Sequence, residues 1–186
     1  ALATNESKYP WMDEGFTSYA QDYVLNEIYG GRNPNPHAGA YRGYYRLMES
    51  GKNEPLTTHA DHYQTNFAYG VNSYSKGQVF LHQLSYVIGY EAFFKGMKNY
   101  YNQWKFKHPK PVDFKKVMEK ASGMELDWYF DYFITSTNKI NYAIKSVNCD
   151  AGITKITIER MNKSHQLFQD LRYELISKYT NNKQGI

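Results

Sequence analysis

The sequence predicts a mainly α fold with a β tail. Three observations carry that expectation. From about Asp13 to Ile134, apolar residues recur at three- and four-residue steps, the period of helices with one buried face. Glycine and proline clusters at Gly30-Gly31, Pro34 to Pro36, Gly51 to Pro55, Gly89, Pro109 to Pro111 and Gly123 cut this stretch into helix-sized pieces. At about Asn138 the period changes to strict alternation, the mark of half-buried antiparallel strands.

Taken in order, residues 1–10 predict a loop, with Pro10 closing it. A first helix begins near Asp13, with Phe16, Tyr19, Ala20, Tyr23, Val24 and Ile28 on its buried face. A second spans 37–50, with Tyr41, Tyr44, Tyr45 and Met48 on one side. Residues 52–72 are polar and predict a long structureless loop, a feature that is uncommon inside a domain and often functional. The third helix starts near Ser73 and buries Val79, Phe80, Leu84, Val87 and Ile88 before Gly89 breaks it. A fourth covers 90–104, with Phe93, Met97, Tyr100, Tyr101 and Trp104 inward. Asp113 opens the next, where an acid suits the positive end of the helix dipole, and Gly123 closes it. An aromatic helix over 126–134 ends the helical part. Strands follow at 140–145, 153–160 and 171–179, and a turn at 181–185 precedes Ile186.

Bulk properties narrow the function classes. The 186 residues fit one domain, or one domain with part of another. Nineteen Tyr, ten Phe and three Trp supply large core groups that each keep an apolar body. The net charge is only +4, and no run of basic residues exceeds a pair, so nucleic acid is excluded as a partner. No segment approaches the roughly 20 apolar residues of a membrane span. The single cysteine, Cys149, forms no internal disulfide and no cysteine zinc site.

Two short runs concentrate the chemistry. Residues 11–20 read Trp-Met-Asp-Glu-Gly-Phe-Thr-Ser-Tyr-Ala, and residues 74–77 read Tyr-Ser-Lys-Gly. Alone, an acidic pair in a first helical turn is an ordinary partner for the helix dipole. Tyr74 alone is one of nineteen tyrosines. Taken together, the first run resembles the W-x-[ND]-E-G-[FL]-[AT]-x-[YF] segment of the gluzincin zinc aminopeptidases, the aminopeptidase N and leukotriene hydrolase family. The second resembles that family's Y-x-K-G, in the same order. A looser likeness runs from Gly89 through Phe93 and Met97 to Asp113-Phe114 and Trp128-Tyr129-Phe130. The resemblance covers roughly residues 10–137.

This resemblance implies the site and its chemistry. Glu14 takes the place of the family's third zinc ligand, an oxygen donor beside the two histidines of an H-E-x-x-H helix. Tyr74 takes the place of the tyrosine whose hydroxyl stabilises the oxyanion of the tetrahedral intermediate. Asp13 stands where relatives carry Asn, as a helix-entry or supporting group, and Lys76 is structural or solvent-exposed. The family's spacing puts H-E-x-x-H ahead of Ala1, and none occurs elsewhere in the sequence. The expectation is therefore a fragment lacking that helix. Residues 1–137 form the helical C-terminal subdomain of a zincin catalytic domain, and residues 138–186 form the first antiparallel strands of a truncated β-sandwich.

The implied parent is a zinc metallo-aminopeptidase acting on peptides. The fragment alone is expected to be inactive, to hold no tight zinc and to self-associate. Cytosolic and cell-envelope parents both fit. Two other readings stand beside this one: a noncatalytic helical interaction module, and an epoxide-hydrolase-like relative on the same scaffold. His59 and His62 lie three apart in the polar loop without a third ligand, and His37, His82, His108 and His165 show no constellation.

Overall fold

In a computed structural model of the chain, residues 2–138, 142–150 and 152–160 are described. The strand expected at 171–179, the turn at 181–185 and Ile140 lie outside them. The chain divides into two compact units, Ala1–Asn138 and Lys139–Ile186.

The first unit is helical. Its α-helices are α1 (Pro10–Ile28), α2 (Ala38–Ser50), α3 (Asn66–Gly70), α4 (Gly77–Ile88), α5 (Tyr90–Trp104), α6 (Pro111–Ser122) and α7 (Asp127–Ile134). Pro10 and Pro111 each open a helix, where a missing N–H costs nothing and the fixed φ already suits the turn. At α6 the Asp113 carboxylate also accepts the Lys110 backbone N–H at 2.8 Å. Gly89 joins α4 to α5 at φ +83°, a conformation that strains any residue with a Cβ.

The core is aromatic and centres on Phe80 of α4. Trp11, Phe130 and Phe133 present edges to its ring at centroid distances of 5.1, 5.1 and 5.4 Å. Edge-to-face pairs of this kind add to plain area burial. Phe114 is packed in the same way against Phe16 and Tyr100, at 4.9 and 5.0 Å. Tyr129 is buried with its hydroxyl donating to the Phe80 carbonyl at 2.7 Å, which ties α7 to α4.

Several sequence expectations need correction. The 52–72 segment is not structureless. A short 3-10 turn covers Ala60–His62, and α3 starts at Asn66 with Thr65 Oγ1 accepting the Ala68 N–H at 3.1 Å. Helical backbone then runs on through a widened, π-type turn at Val71–Lys76 into α4, so the third helix begins well before Ser73. The widened turn breaks the 3.6-residue period and hid the continuity. On α1, Val24 and Ile28 are exposed, and Tyr23 is exposed too although its ring packs on Phe94 of α5 at 5.1 Å. Tyr45 and Tyr101 also face outward, and on α2 Leu47 takes the buried place beside Met48.

The second unit contains the hairpin β1 (Tyr142–Asp150) and β2 (Ile153–Arg160), paired antiparallel with Ile144 opposite Ile158 and Val147 opposite Ile156. The first strand extends to Asp150, further than its alternation showed. An irregularity between Ile144 and Ser146 resets the register, which is why the alternation appears to stop there. Ile144 and Ile158 are exposed rather than half-buried. Among the described residues, no helix is long and apolar enough to cross a membrane.

A buried polar cluster joins α1, α2 and α4. Gln78 Nε2 donates to Asp22 Oδ2 at 2.6 Å and meets His37 Nδ1 at 2.8 Å. Tyr41 accepts from Gln83 Nε2 at 2.6 Å and its hydroxyl meets His82 Nδ1 at 3.0 Å. The two imidazoles lie 4.5 Å apart, and the Tyr19 ring stacks on His37. Burial, with His82 adding to it and Asp22 opposing it, lowers the His37 pKa to about 4. Burial lowers that of His82 as well.

A group whose folded pKa is depressed binds fewer protons folded than unfolded, so it contributes stability that is lost as pH falls. The unfolding free energy should therefore drop between pH 6.5 and about 4, by about 2–3 kcal/mol from His37. Denaturant titrations across that range should show a flatter dependence in His37→Gln. Equal pH slopes in the two proteins would remove His37 as the cause.

Candidate functional site

The two motif helices meet through their glycines. A Cβ placed on Gly15 would lie 2.8 Å from both the Cα and the carbonyl carbon of Gly77. A Cβ on Gly77 would lie 3.1 Å from Gly15 Cα and 3.2 Å from the Trp11 carbonyl. Only hydrogen at both positions lets α1 and α4 approach so closely. Glu14 precedes one glycine, and Tyr74 lies one turn before the other. The contact therefore brings the two side chains together.

Each partner is anchored from behind. Trp11 is fully buried and packs on Phe80, which pins the first turn of α1 and leaves Asp13 and Glu14 half-buried at its surface. Tyr74 sits in the widened turn, a distortion frequent at functional sites. Asn72 in that turn is buried and donates to the Ala68 carbonyl at 2.9 Å. On its other side the turn rests on α2, where a Cβ on Gly43 would lie 2.5 Å from Ser75 Oγ.

Tyr74 keeps 42% of its surface exposed, so its hydroxyl is within reach of a ligand. The neighbouring Glu14 carboxylate, which favours the protonated hydroxyl, and then partial desolvation push its pKa up to about 12. Tyr69 is raised as well, by desolvation and then by Glu14, Glu6 and Asp13. Glu6, Asp13, Glu14, Tyr69 and Tyr74 thus share one acidic, tyrosine-lined surface. Glu14 and Tyr74, the two residues singled out in the sequence, lie side by side on it.

Lys76 is neither exposed nor a bystander. It is 3% exposed, and its Nζ donates to Asn53 Oδ1 at 2.9 Å and to the Glu54 carbonyl at 3.0 Å. Burial lowers its pKa to about 7. A signal was present in the sequence: Asn72, Lys76, Phe80 and Leu84 follow one another at four-residue steps, and all four are buried. His37 and His82 were also missed, because their partners come from three helices distant in sequence.

His59 and His62 have rings 5.1 Å apart, but His59 Nδ1 accepts the Asp61 backbone N–H within its own turn. Among the described residues, no group of three or more His, Cys, Asp or Glu could hold a metal ion. Glu14 alone offers one oxygen donor, which fits a zinc ligand of the carboxylate type but not a complete site.

Comparison with known proteins fits this geometry. The sequence model of the Peptidase family M1 domain matches residues 4–133. The chain belongs to peptidase family M1. Its similarity extends to Aminopeptidase 2, mitochondrial, of Saccharomyces cerevisiae, at 27% identity over 161 residues, covering 81% of this chain and 16% of that protein. It is also similar to Aminopeptidase B of Rattus norvegicus, at 28% identity over 130 residues, covering 66% of this chain and 18% of that protein. The chain thus spans less than a fifth of the length of these relatives. In fold it resembles the M1 zinc metallopeptidase of Deinococcus radiodurans, with a TM-score of 0.59 and 19% identity over 74% of this chain and 30% of that one.

The glycine contact yields a paired prediction. Gly77→Ala should destabilise the helical unit by about 1–3 kcal/mol, because the added methyl meets backbone that cannot step aside. Gly70→Ala, with open space around the new methyl and an ordinary helical φ, should be neutral or stabilising by up to about 1 kcal/mol. Denaturant midpoints of the two variants decide it. Equal effects would mean that the α1–α4 approach does not depend on glycine.

Proposed function

We propose that this chain is part of a zinc-dependent aminopeptidase, to which it contributes one metal ligand and one oxyanion donor. The backbone contact of Gly15 with Gly77, which sets Glu14 beside Tyr74, is the observation that carries this reading. In this reading Glu14 is the carboxylate ligand, and two histidines outside the described residues complete the set. The metal, when bound, supplies a Lewis acid for water-driven cleavage of the first peptide bond.

The chain's own residues then have distinct tasks. Glu14 presents an anionic oxygen at a surface that remains open on one side. Tyr74 stays protonated at neutral pH, so it serves as a donor and not as a base. Its hydroxyl, beside Glu14 and partly exposed, would donate to the negative charge that develops on a substrate carbonyl oxygen. A donor held in place before reaction stabilises that charge without reorganising. The general base, in this reading, lies with the histidine helix.

Residues 1–137 then form the helical part of the catalytic domain, and residues 138–186 the start of a β-sandwich. Peptides are the substrates. The aminopeptidase names of the relatives favour this reading over an epoxide-hydrolase-like one. The open acidic, tyrosine-lined surface favours it over a noncatalytic helical module.

In the full-length protein, Glu14→Ala should lower the zinc bound per chain. Tyr74→Phe should leave zinc in place and lower kcat about 100- to 1,000-fold, the usual cost of losing one oxyanion donor. Elemental analysis beside kinetics on an amino-acid anilide separates the two effects. Full zinc in Glu14→Ala would end the ligand assignment.

The isolated 186-residue chain should show no peptidase activity and no tight zinc, since one carboxylate does not replace a ligand set. It should also self-associate through its exposed apolar surface, to which Val24, Ile28 and Tyr29 contribute. Zinc per chain and mass in solution across concentration test both points. Stoichiometric zinc or a strict monomer would contradict the respective expectation.

A further inference from the structure

Lys76 lies two residues beyond Tyr74, so the two side chains leave the helical backbone on nearly opposite sides. Tyr74 reaches Glu14 and the open surface. Lys76 reaches the interior, where residues 53–57 pass behind the widened turn as an irregular strap.

This strap is tied at several points, and the Lys76 side chain connects it to the turn. Asn53 accepts from Lys76 through Oδ1 and donates through Nδ2 to the Thr137 carbonyl at 3.2 Å. Glu54 accepts from Lys76 through its carbonyl and through Oε1 from the Gln64 N–H at 3.1 Å. Leu56 is fully buried, and the Thr57 N–H donates to the Ile134 carbonyl at 3.3 Å. The strap is thereby fixed to the end of α7, and through Lys76 the widened turn is fixed to the strap. Two acceptors converge on one buried Nζ, an arrangement that an apolar side chain of the same length leaves unmade.

We propose that Lys76 is a positioning residue for Tyr74: by fastening the back of the Val71–Lys76 turn to Asn53 and Glu54, it sets where the Tyr74 hydroxyl points. The inference rests on the reading of Tyr74 as an oxyanion donor. It adds a residue that touches neither substrate nor metal and acts through one that touches substrate. A widened turn has weaker internal support than a regular helix, so an external tie decides its geometry. A displacement of about 1 Å at a reacting group costs up to about 100-fold in rate.

The test is a double-mutant cycle in the full-length, zinc-loaded protein. Lys76→Met should lower kcat between about ten- and a hundredfold, with KM and zinc content unchanged within about twofold. In a Tyr74→Phe background the same substitution should change kcat by less than about twofold, because the group it positions is already gone. Asn53→Ala, which removes one of the two acceptors with less risk to folding, should give a smaller loss with the same non-additivity. Losses that multiply in the double variants would overturn the proposal, as would loss of zinc in Lys76→Met.

Amide hydrogen exchange on the same proteins gives a readout independent of turnover. Lys76→Met should speed exchange in residues 53–57 and 71–76 together, and leave α5 and α6 unchanged. Faster exchange in the strap alone would also overturn it. A wild-type protein without zinc-dependent aminopeptidase activity would instead sink the functional reading, and the exchange result would still report whether Lys76 couples strap and turn.

Discussion

Gly15 and Gly77 meet backbone to backbone, and the rest of the helical unit is arranged around that approach. With side chains at these positions, α1 and α4 would stand further apart and Glu14 would lose its reach to Tyr74. The approach also lets Trp11 drive into the core beneath the acidic pair and set its edge against Phe80. The acidic turn of α1 and the tyrosine turn before α4 are therefore two halves of one contact, and each motif carries its glycine for the same reason.

Polar groups buried on two sides hold that contact in place. Lys76 ties the strap behind the widened turn, and the His37–His82 cluster links α1, α2 and α4 further along the same helix. Both arrangements place polar groups in largely dry surroundings, where an unpaired donor or acceptor is costly. Their burial lowers the pKa of Lys76 and of both histidines. The aromatic core supplies mass and the polar ties supply direction.

Much of the helical unit was legible because its helices keep a clean period and end at glycine or proline. Gly89 and Gly123 mark ends that the structure reproduces. The motif pair was legible because residue types with a definite chemistry recur in a definite order. What escaped notice has physical causes. The widened turn shifts the period, so Asn66 to Asn72 read as loop in the sequence. The exposed half of α1 carries apolar residues that a period alone assigns to a core. For Lys76 the sequence left a structural and a solvent-exposed place open, and the buried stripe that runs to Phe80 and Leu84 decides for the first. The His37–His82 cluster draws on residues far apart in the chain, and no local pattern announces such a meeting.

The widened turn at Val71–Lys76 has a consequence for how this surface can change over generations. One extra residue in a helix rotates everything on one side of it by about 100° relative to the other. Substitutions can alter which groups surround Tyr74, but they leave α3 arriving from the same direction. Removing a residue here would swing Tyr69 away from the acidic surface in a single step, with no intermediate angle available. The geometry of this surface is thus inherited as a whole number of residues, and gradual drift in side chains does not reach it.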